Sequence, residues 1–288
     1  MTEHDTPTPD SNGAAEAERR RAWYWWSWYE GTGGAASAAP PVPPRRPDGV
    51  FAADPAARPG DVPWGWRQVL WAFLIAAAPI LALYAVVLIQ QLLNPDQKAT
   101  DIPEGETWFT AVLVALTIAQ DAWFLLWSWM FSLRRGRALG ASWGLGRFRL
   151  RYLLLIPVGL VPVYVTSGFW NALVHPPPQD LPKYFAHTTT GLIMFAVLGV
   201  LVAPFFEELV FRGFLFQGLA RSWGVVPGLI VSAALFAIVH GEPWSFIELF
   251  EVALVLGALY YLTRSLWTSI AFHAVFNGVS VLAWWFLT

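Results

Sequence analysis

The chain has 288 residues, of which 56% are hydrophobic and only 13% charged, about half the charged share of a soluble domain. A net charge of −2 gives no overall basicity for a nucleic-acid partner. The absence of cysteine excludes disulfides, thiol catalysis and Cys-ligated zinc or iron–sulfur sites.

Residues 1–62 are rich in Pro, Ala, Gly and charge and hold no sustained apolar period, so they are expected to be a disordered tail. Within it, WYWWSWYE at 23–30 follows Arg19, Arg20 and Arg21, a composition that suits the surface of a membrane; a sticky segment without specific function is the alternative. No basic stretch followed by a short apolar one opens the chain, which predicts no cleavable signal peptide.

From Trp64 onward the apolar residues gather in blocks, with many of the 18 Trp and 8 Tyr near block ends, where amphipathic rings favour the membrane–water interface. Seven candidate spans follow, at roughly 67–93, 107–133, 152–174, 190–220, 225–241, 244–263 and 266–287. Each is long enough for a hydrocarbon core of about 30 Å, with 225–241 near the lower limit. The fourth turns polar in its second half, which fits a tilted helix or a shorter span with an interfacial continuation. None shows the alternation of a membrane barrel, and no internal repeat is visible. The expected fold is an all-α, polytopic transmembrane bundle of about seven spans, with N-terminal helices at 63–189 and a chemistry-bearing core at 190–288.

Lys and Arg set the orientation. With the N-terminus inside, the tail, the connection between spans two and three, and the later inside turns hold 15 of them, whereas the outside segments hold only Lys98 and Lys183. That asymmetry predicts a cytoplasmic N-terminus.

Polar residues inside spans are candidate functional groups. Gln120 and Asp121 lie in span two, Glu207, Glu208 and Arg212 in span four, His240 at the end of span five, and His273 with Asn277 in span seven. On an insertion scale each central charge costs about 2.5–3.5 kcal/mol, so the three in span four cost of order 8–10 kcal/mol uncompensated. Glu208 and Arg212, four residues apart, share a helix face and can pair. Glu207 is rotated about 100° from Glu208 and needs another partner. A carboxylate in such a site suits proton transfer; a buried ion network between helices is the structural alternative. His273 and Asn277 share a face and offer two groups that can hold a developing oxyanion, or else a satisfied hydrogen-bonded pair. Asp121 is expected to make a helix-packing hydrogen bond in preference to pairing with Arg212.

No H-E-x-x-H is present. Glu207, His240 and His273 together remain a possible ligand set for a divalent metal such as zinc, with a metal-free, glutamate-polarised water as the alternative. Sequence spacing does not separate the two.

The stretches APFFEELVFRGFL, SAALFAIVH and SIAFHAVFN resemble the three ordered motifs of the CAAX prenyl endopeptidase and bacteriocin-processing (CPBP, or Abi) family of intramembrane proteases: E-E-x-x-x-R, F-x-x-x-H and H-x-x-x-N or D. The resemblance covers roughly 190–288. It implies a glutamic-type peptidase in which Glu207 and His240 activate water, His273 and Asn277 stabilise the oxyanion, Glu208 and Arg212 hold the helix and tune Glu207, and Phe236 contacts substrate. It further implies a membrane protein or lipidated peptide as substrate and the lipid bilayer as surroundings, here a bacterial cell membrane. Two other readings stand beside it. One is a non-catalytic scaffold or immunity-type protein that retains the pocket. The other is a proton-coupled transporter, which should show paired repeats and broken helices that this sequence lacks.

Overall fold

A computed structural model of the chain describes residues 59–94, 106–133, 143–177, 181–185 and 188–287. The expected disordered tail, apart from its last few residues, and its aromatic segment at 23–30 lie outside these. The described residues form helices and no strand, as the apolar blocks require when every backbone N–H must be satisfied without water. The elements are α1 (Trp66–Leu93), α2 (Thr107–Leu133), α3 (Leu155–Val174, entered through the 3₁₀ turn Leu150–Leu154), α4 (Thr189–Trp223), α5 (Val225–Val239), α6 (Phe246–Thr263) and α7 (Leu266–Leu287).

Among the described residues six stretches are long and apolar enough to cross a membrane: α1, α2, the span containing α3, α4, the span containing α6, and α7. The expectation of seven full spans fails at α5. It has 15 residues, about 22 Å at 1.5 Å per residue, short of a ~30 Å core. Gly224, at φ 89°, ends α4, and α5 begins at once. The fourth span, expected as tilted or as shorter with an interfacial tail, is one continuous 35-residue helix.

α4 is the central element. It packs against α1, α2, α5, α6 and α7, while α3 lies outside on α6 and α7. Every residue from Leu209 to Phe216 is buried. The core around it draws Trp64 and Val69 from the α1 end, Phe236 from α5 and Tyr260 from α6, so the N-terminal helices and the motif-bearing helices share one interior. Polar groups fasten it: Trp64 Nε1 donates to the Phe214 carbonyl at 2.9 Å, and Ser269 Oγ to that of Leu256 at 3.0 Å. Large apolar side chains such as Leu81, Leu83, Val158 and Phe169 point outward, as lipid-facing positions should. At the α4–α5 turn, a Cβ on Gly228 would lie 2.6 Å from the backbone nitrogen of Ala220. Only glycine lets the two helices meet there, the small-residue contact that membrane helices use.

Candidate active site

α4 is not uniformly α-helical. Two π-helical stretches, Val197–Val202 and Leu209–Phe216, flank the short α segment Ala203–Glu208 that carries both glutamates. Such widened turns gather at functional sites. The first has a cause legible in the residues. Ala203 N–H bonds the Leu198 carbonyl, an i→i+5 step. The next such step would give the Gly199 carbonyl the N–H of residue 204, which is Pro and has none. Asn277 on α7 supplies the donor instead, its Nδ2 lying 2.7 Å from the Gly199 oxygen.

Glu208 and Arg212 pair as their spacing predicts. Arg212 Nη1 is 2.7 Å from Glu208 Oε1, with 1% and 0% of the two residues exposed. The guanidinium also donates to the Ala253 carbonyl of α6 at 3.2 Å and lies 4.6 Å from the ring centroid of Phe236. A charge this deep is tolerated because carboxylate, carbonyl and π-face surround it. The pair fastens α4 to α5 and α6.

His273, also buried, turns Nδ1 to the same Glu208 Oε1 at 3.0 Å. Glu207, rotated off the ion pair as the helix geometry demands, meets both imidazoles. Its Oε2 is 3.9 Å from His240 Nε2 and 3.8 Å from His273 Nε2. That oxygen is buried and has no hydrogen-bond partner. The separations exceed direct hydrogen-bond length, about 2.7–3.2 Å.

The second contact of each imidazole fixes its tautomer. His240 Nδ1 is 2.7 Å from the Phe236 carbonyl, which only accepts, so Nδ1 carries a hydrogen. His273 Nδ1 faces a carboxylate paired with Arg212 and carries one likewise. In the neutral rings both Nε2 atoms are therefore bare. Three acceptors converge on one point: the two Nε2 atoms and Glu207 Oε2. About a fifth of the Glu207 side chain and more than a quarter of that of His240 are exposed, at 21% and 28%.

Glu207, His240 and His273 thus form one cluster, with Glu208 and Arg212 directly behind it. Asn277 lies one helical turn beyond His273 and spends one amide hydrogen on Gly199. Phe236 is 1% exposed. Its ring lies behind both imidazoles, with centroids 4.6 Å from His240 and 5.8 Å from His273, so it offers substrate no open face. Asp121 makes neither expected contact. Arg212 is taken by Glu208, and the buried Asp121 Oδ2 and Gln120 Nε2 have no hydrogen-bond partner. α2 packs against the Ala203–Glu208 stretch of α4 that carries both glutamates.

Among the described residues no group of three His, Asp or Glu is disposed to hold a metal. The separations agree. Tetrahedral zinc with bonds near 2.1 Å holds its donors about 3.4 Å apart, closer than the 3.8 and 3.9 Å found around Glu207 Oε2.

Residues 189–279 match the family model described as Type II CAAX prenyl endopeptidase Rce1-like. This stretch of the chain is similar to that family. The CAAX-endopeptidase-like domain runs from the start of α4 into α7 and holds every residue of the glutamate–histidine cluster. The family is one of proteases, and with six membrane-length helices the chain is an integral membrane protein. The UPF0177 protein YbdI of Lactococcus lactis subsp. lactis (strain IL1403) is 25% identical over 136 residues, 47% of this chain and 71% of that protein. No solved structure matches the chain significantly.

Proposed function

We propose that the chain is an intramembrane endopeptidase of a bacterial cell membrane that cleaves a membrane-associated or lipidated polypeptide with a water activated by Glu207 and His240. The observation that carries this reading is the gathering of two bare imidazole nitrogens around one buried, unpartnered carboxylate oxygen, in a cluster whose Glu207 and His240 side chains are part-exposed. A molecule with two protons to give and a lone pair to attack with is what those acceptors suit, and water is that molecule. Glu207 takes a proton as the water oxygen attacks the scissile carbonyl, and His240, held by the Phe236 carbonyl, orients the water and shares the load. His273 changes role during the step. Neutral, it has no Nε2–H; on taking one proton from solvent, with Glu208 stabilising the imidazolium through Nδ1, it donates from Nε2 to the developing oxyanion, and it returns that proton to solvent when the carbonyl re-forms. The second amide hydrogen of Asn277 adds to that donor set. Glu207 then returns its proton to the leaving amine. Glu208 and Arg212 are positioning residues, and Phe236 is the surface on which both imidazoles rest.

In this reading every step is assigned to side chains. The protein reconstituted in lipid vesicles is the test, with internally quenched peptides, farnesylated and unmodified, as probes. Glu207→Gln is expected to lower turnover about 10³-fold or more without loss of folded protein. Turnover unchanged in that variant removes Glu207 from the reaction.

A further inference from the structure

α5 and α6 form a hairpin that reaches only as far as the site. α5 leaves the end of α4 at Gly224 and stops at His240, beside Glu207, after about 22 Å of rise. α6 returns alongside, so closely that a Cβ on Gly257 would overlap the Leu229 side chain of α5. His240, where the hairpin begins its tip at residues 240–245, therefore sits at the depth of the glutamate. The neighbouring helices go on. α4 continues from Glu207 back to Thr189 for about 27 Å, and α7 from His273 to Leu287 for about 21 Å. On the far side of the tip the bundle has no α5 and no α6. His240, Gly241, Pro243 and Trp244 are exposed there, and Trp170 of α3 donates to the Trp244 carbonyl at 3.0 Å, at the edge of the mouth.

The opposite end is where the other turns meet. Leu266 N–H bonds the Gly144 carbonyl at 3.2 Å, Trp267 Nε1 that of Leu145 at 2.9 Å, and Trp66 N–H the Ser222 hydroxyl at 2.9 Å. This end owns Arg67, Arg147, Arg149, Arg151, Arg221 and Arg264, and the connection from α2 adds Arg134, Arg135 and Arg137 in sequence. The connections at the mouth end, 94–106 and 175–188, hold one lysine each, beside Asp96, Asp101, Glu104, Glu106 and Asp180. Lys and Arg concentrate in cytoplasmic connections, and acidic residues contribute little to orientation. The direction does not depend on whether the hairpin crosses fully, because it returns to the end it left.

We propose that the site opens to the extracytoplasmic side of the membrane, and that its substrate is a polypeptide segment already carried across: part of an exported or membrane-anchored protein, not a cytoplasmic C-terminal tail. The substrate class rests on the hydrolytic reading above; the direction of opening does not.

The absence of cysteine makes the direction directly readable. Single-cysteine variants Glu106→Cys at the mouth end, Glu242→Cys at the hairpin tip and Arg149→Cys at the arginine end are treated with a membrane-impermeant maleimide, on intact cells and after permeabilisation. Glu106→Cys and Glu242→Cys should label on intact cells, and Arg149→Cys only after permeabilisation, with at least a tenfold contrast. Labelling of Arg149→Cys on intact cells, or protection of Glu242→Cys while Glu106→Cys labels, overturns the proposal. Right-side-out and inside-out vesicles then receive an impermeant pool of quenched peptides. Glu207-dependent cleavage should occur in right-side-out vesicles alone, and cleavage confined to inside-out vesicles overturns the substrate class. Absence of Glu207-dependent cleavage in both, and in detergent, overturns the hydrolytic reading and the substrate class with it, while the labelling pattern still decides the direction of opening.

Discussion

His273 and Glu208 form the contact that converts an ion pair into a site. Glu208 Oε1 serves Arg212 at 2.7 Å and His273 Nδ1 at 3.0 Å, so one buried oxygen both neutralises a cation and sets which nitrogen of an imidazole is bare. The two duties separate on mutation. Glu208→Ala leaves Arg212 buried and unpaired, a loss expected to cost about 3–5 kcal/mol. Replacing both partners with apolar residues, Glu208→Leu with Arg212→Met, removes the uncompensated charge and should recover most of that stability. Turnover should not recover, because His273 has lost the group that fixes its tautomer. Thermal unfolding in detergent and peptide cleavage, measured on the same preparations, check the two halves.

Metal dependence is tested by removal. With the donors around Glu207 Oε2 at 3.8 and 3.9 Å, purified protein exhaustively treated with a chelator and transferred to metal-free buffer should keep its turnover. Activity lost on that treatment and restored by zinc in a 1:1 stoichiometry would mean that the three side chains close by about half an ångström around an ion.

Much of this was legible in the residues because the chemistry is dense where the surroundings are apolar. Charges and imidazoles inside spans are costly enough that each must have a purpose, so Glu207, Glu208, Arg212, His240 and His273 announce themselves, and helical spacing gives the Glu208–Arg212 pair outright. What sequence did not give has equally physical reasons. α5 is apolar save for Ser232, so hydropathy extends its span to 241, whereas the chain turns where His240 caps the helix through the Phe236 carbonyl. Phe236 sits at a motif position beside a histidine, and only packing shows it buried behind the rings. The tie between Asn277 and Gly199 depends on a π turn, which no side-chain pattern encodes, although Pro204 marks the missing donor. Asp121 gave the same signal as a packing carboxylate, yet its buried Oδ2 has no hydrogen-bond partner.

That Asn277 contact allows its two roles to be told apart. Asn277→Ala leaves the Gly199 carbonyl without a donor, at a cost of about 1–3 kcal/mol. Pro204→Ala supplies a backbone N–H in register with that carbonyl, so the double variant should regain stability relative to Asn277→Ala alone. If Asn277 also donates to the oxyanion, the stable double variant still shows lowered turnover with little change in KM. Recovery of turnover together with stability would make Asn277 purely a positioning residue. Thermal unfolding paired with kcat and KM for all three variants decides it.

The last expectation concerns the joint that sets how deep the hairpin reaches. A Cβ on Gly228 meets backbone of α4, at 2.6 Å from Ala220 N and 2.8 Å from Ala220 Cα. A Cβ on Gly257 meets the terminal methyl of Leu229, the far end of a flexible side chain. Backbone cannot yield without moving a helix, whereas a leucine can change rotamer. Gly228→Ala should therefore destabilise by several kcal/mol, in line with overpacking at the severe end, and shift His240 relative to Glu207, lowering turnover. Gly257→Ala should cost about 1 kcal/mol or less and leave turnover close to wild type. Pairing Gly257→Ala with Leu229→Ala should relieve even that, while no side-chain truncation should rescue Gly228→Ala. Unfolding temperatures that rank the two glycines the other way would place the rigid joint within the hairpin and not between α4 and α5.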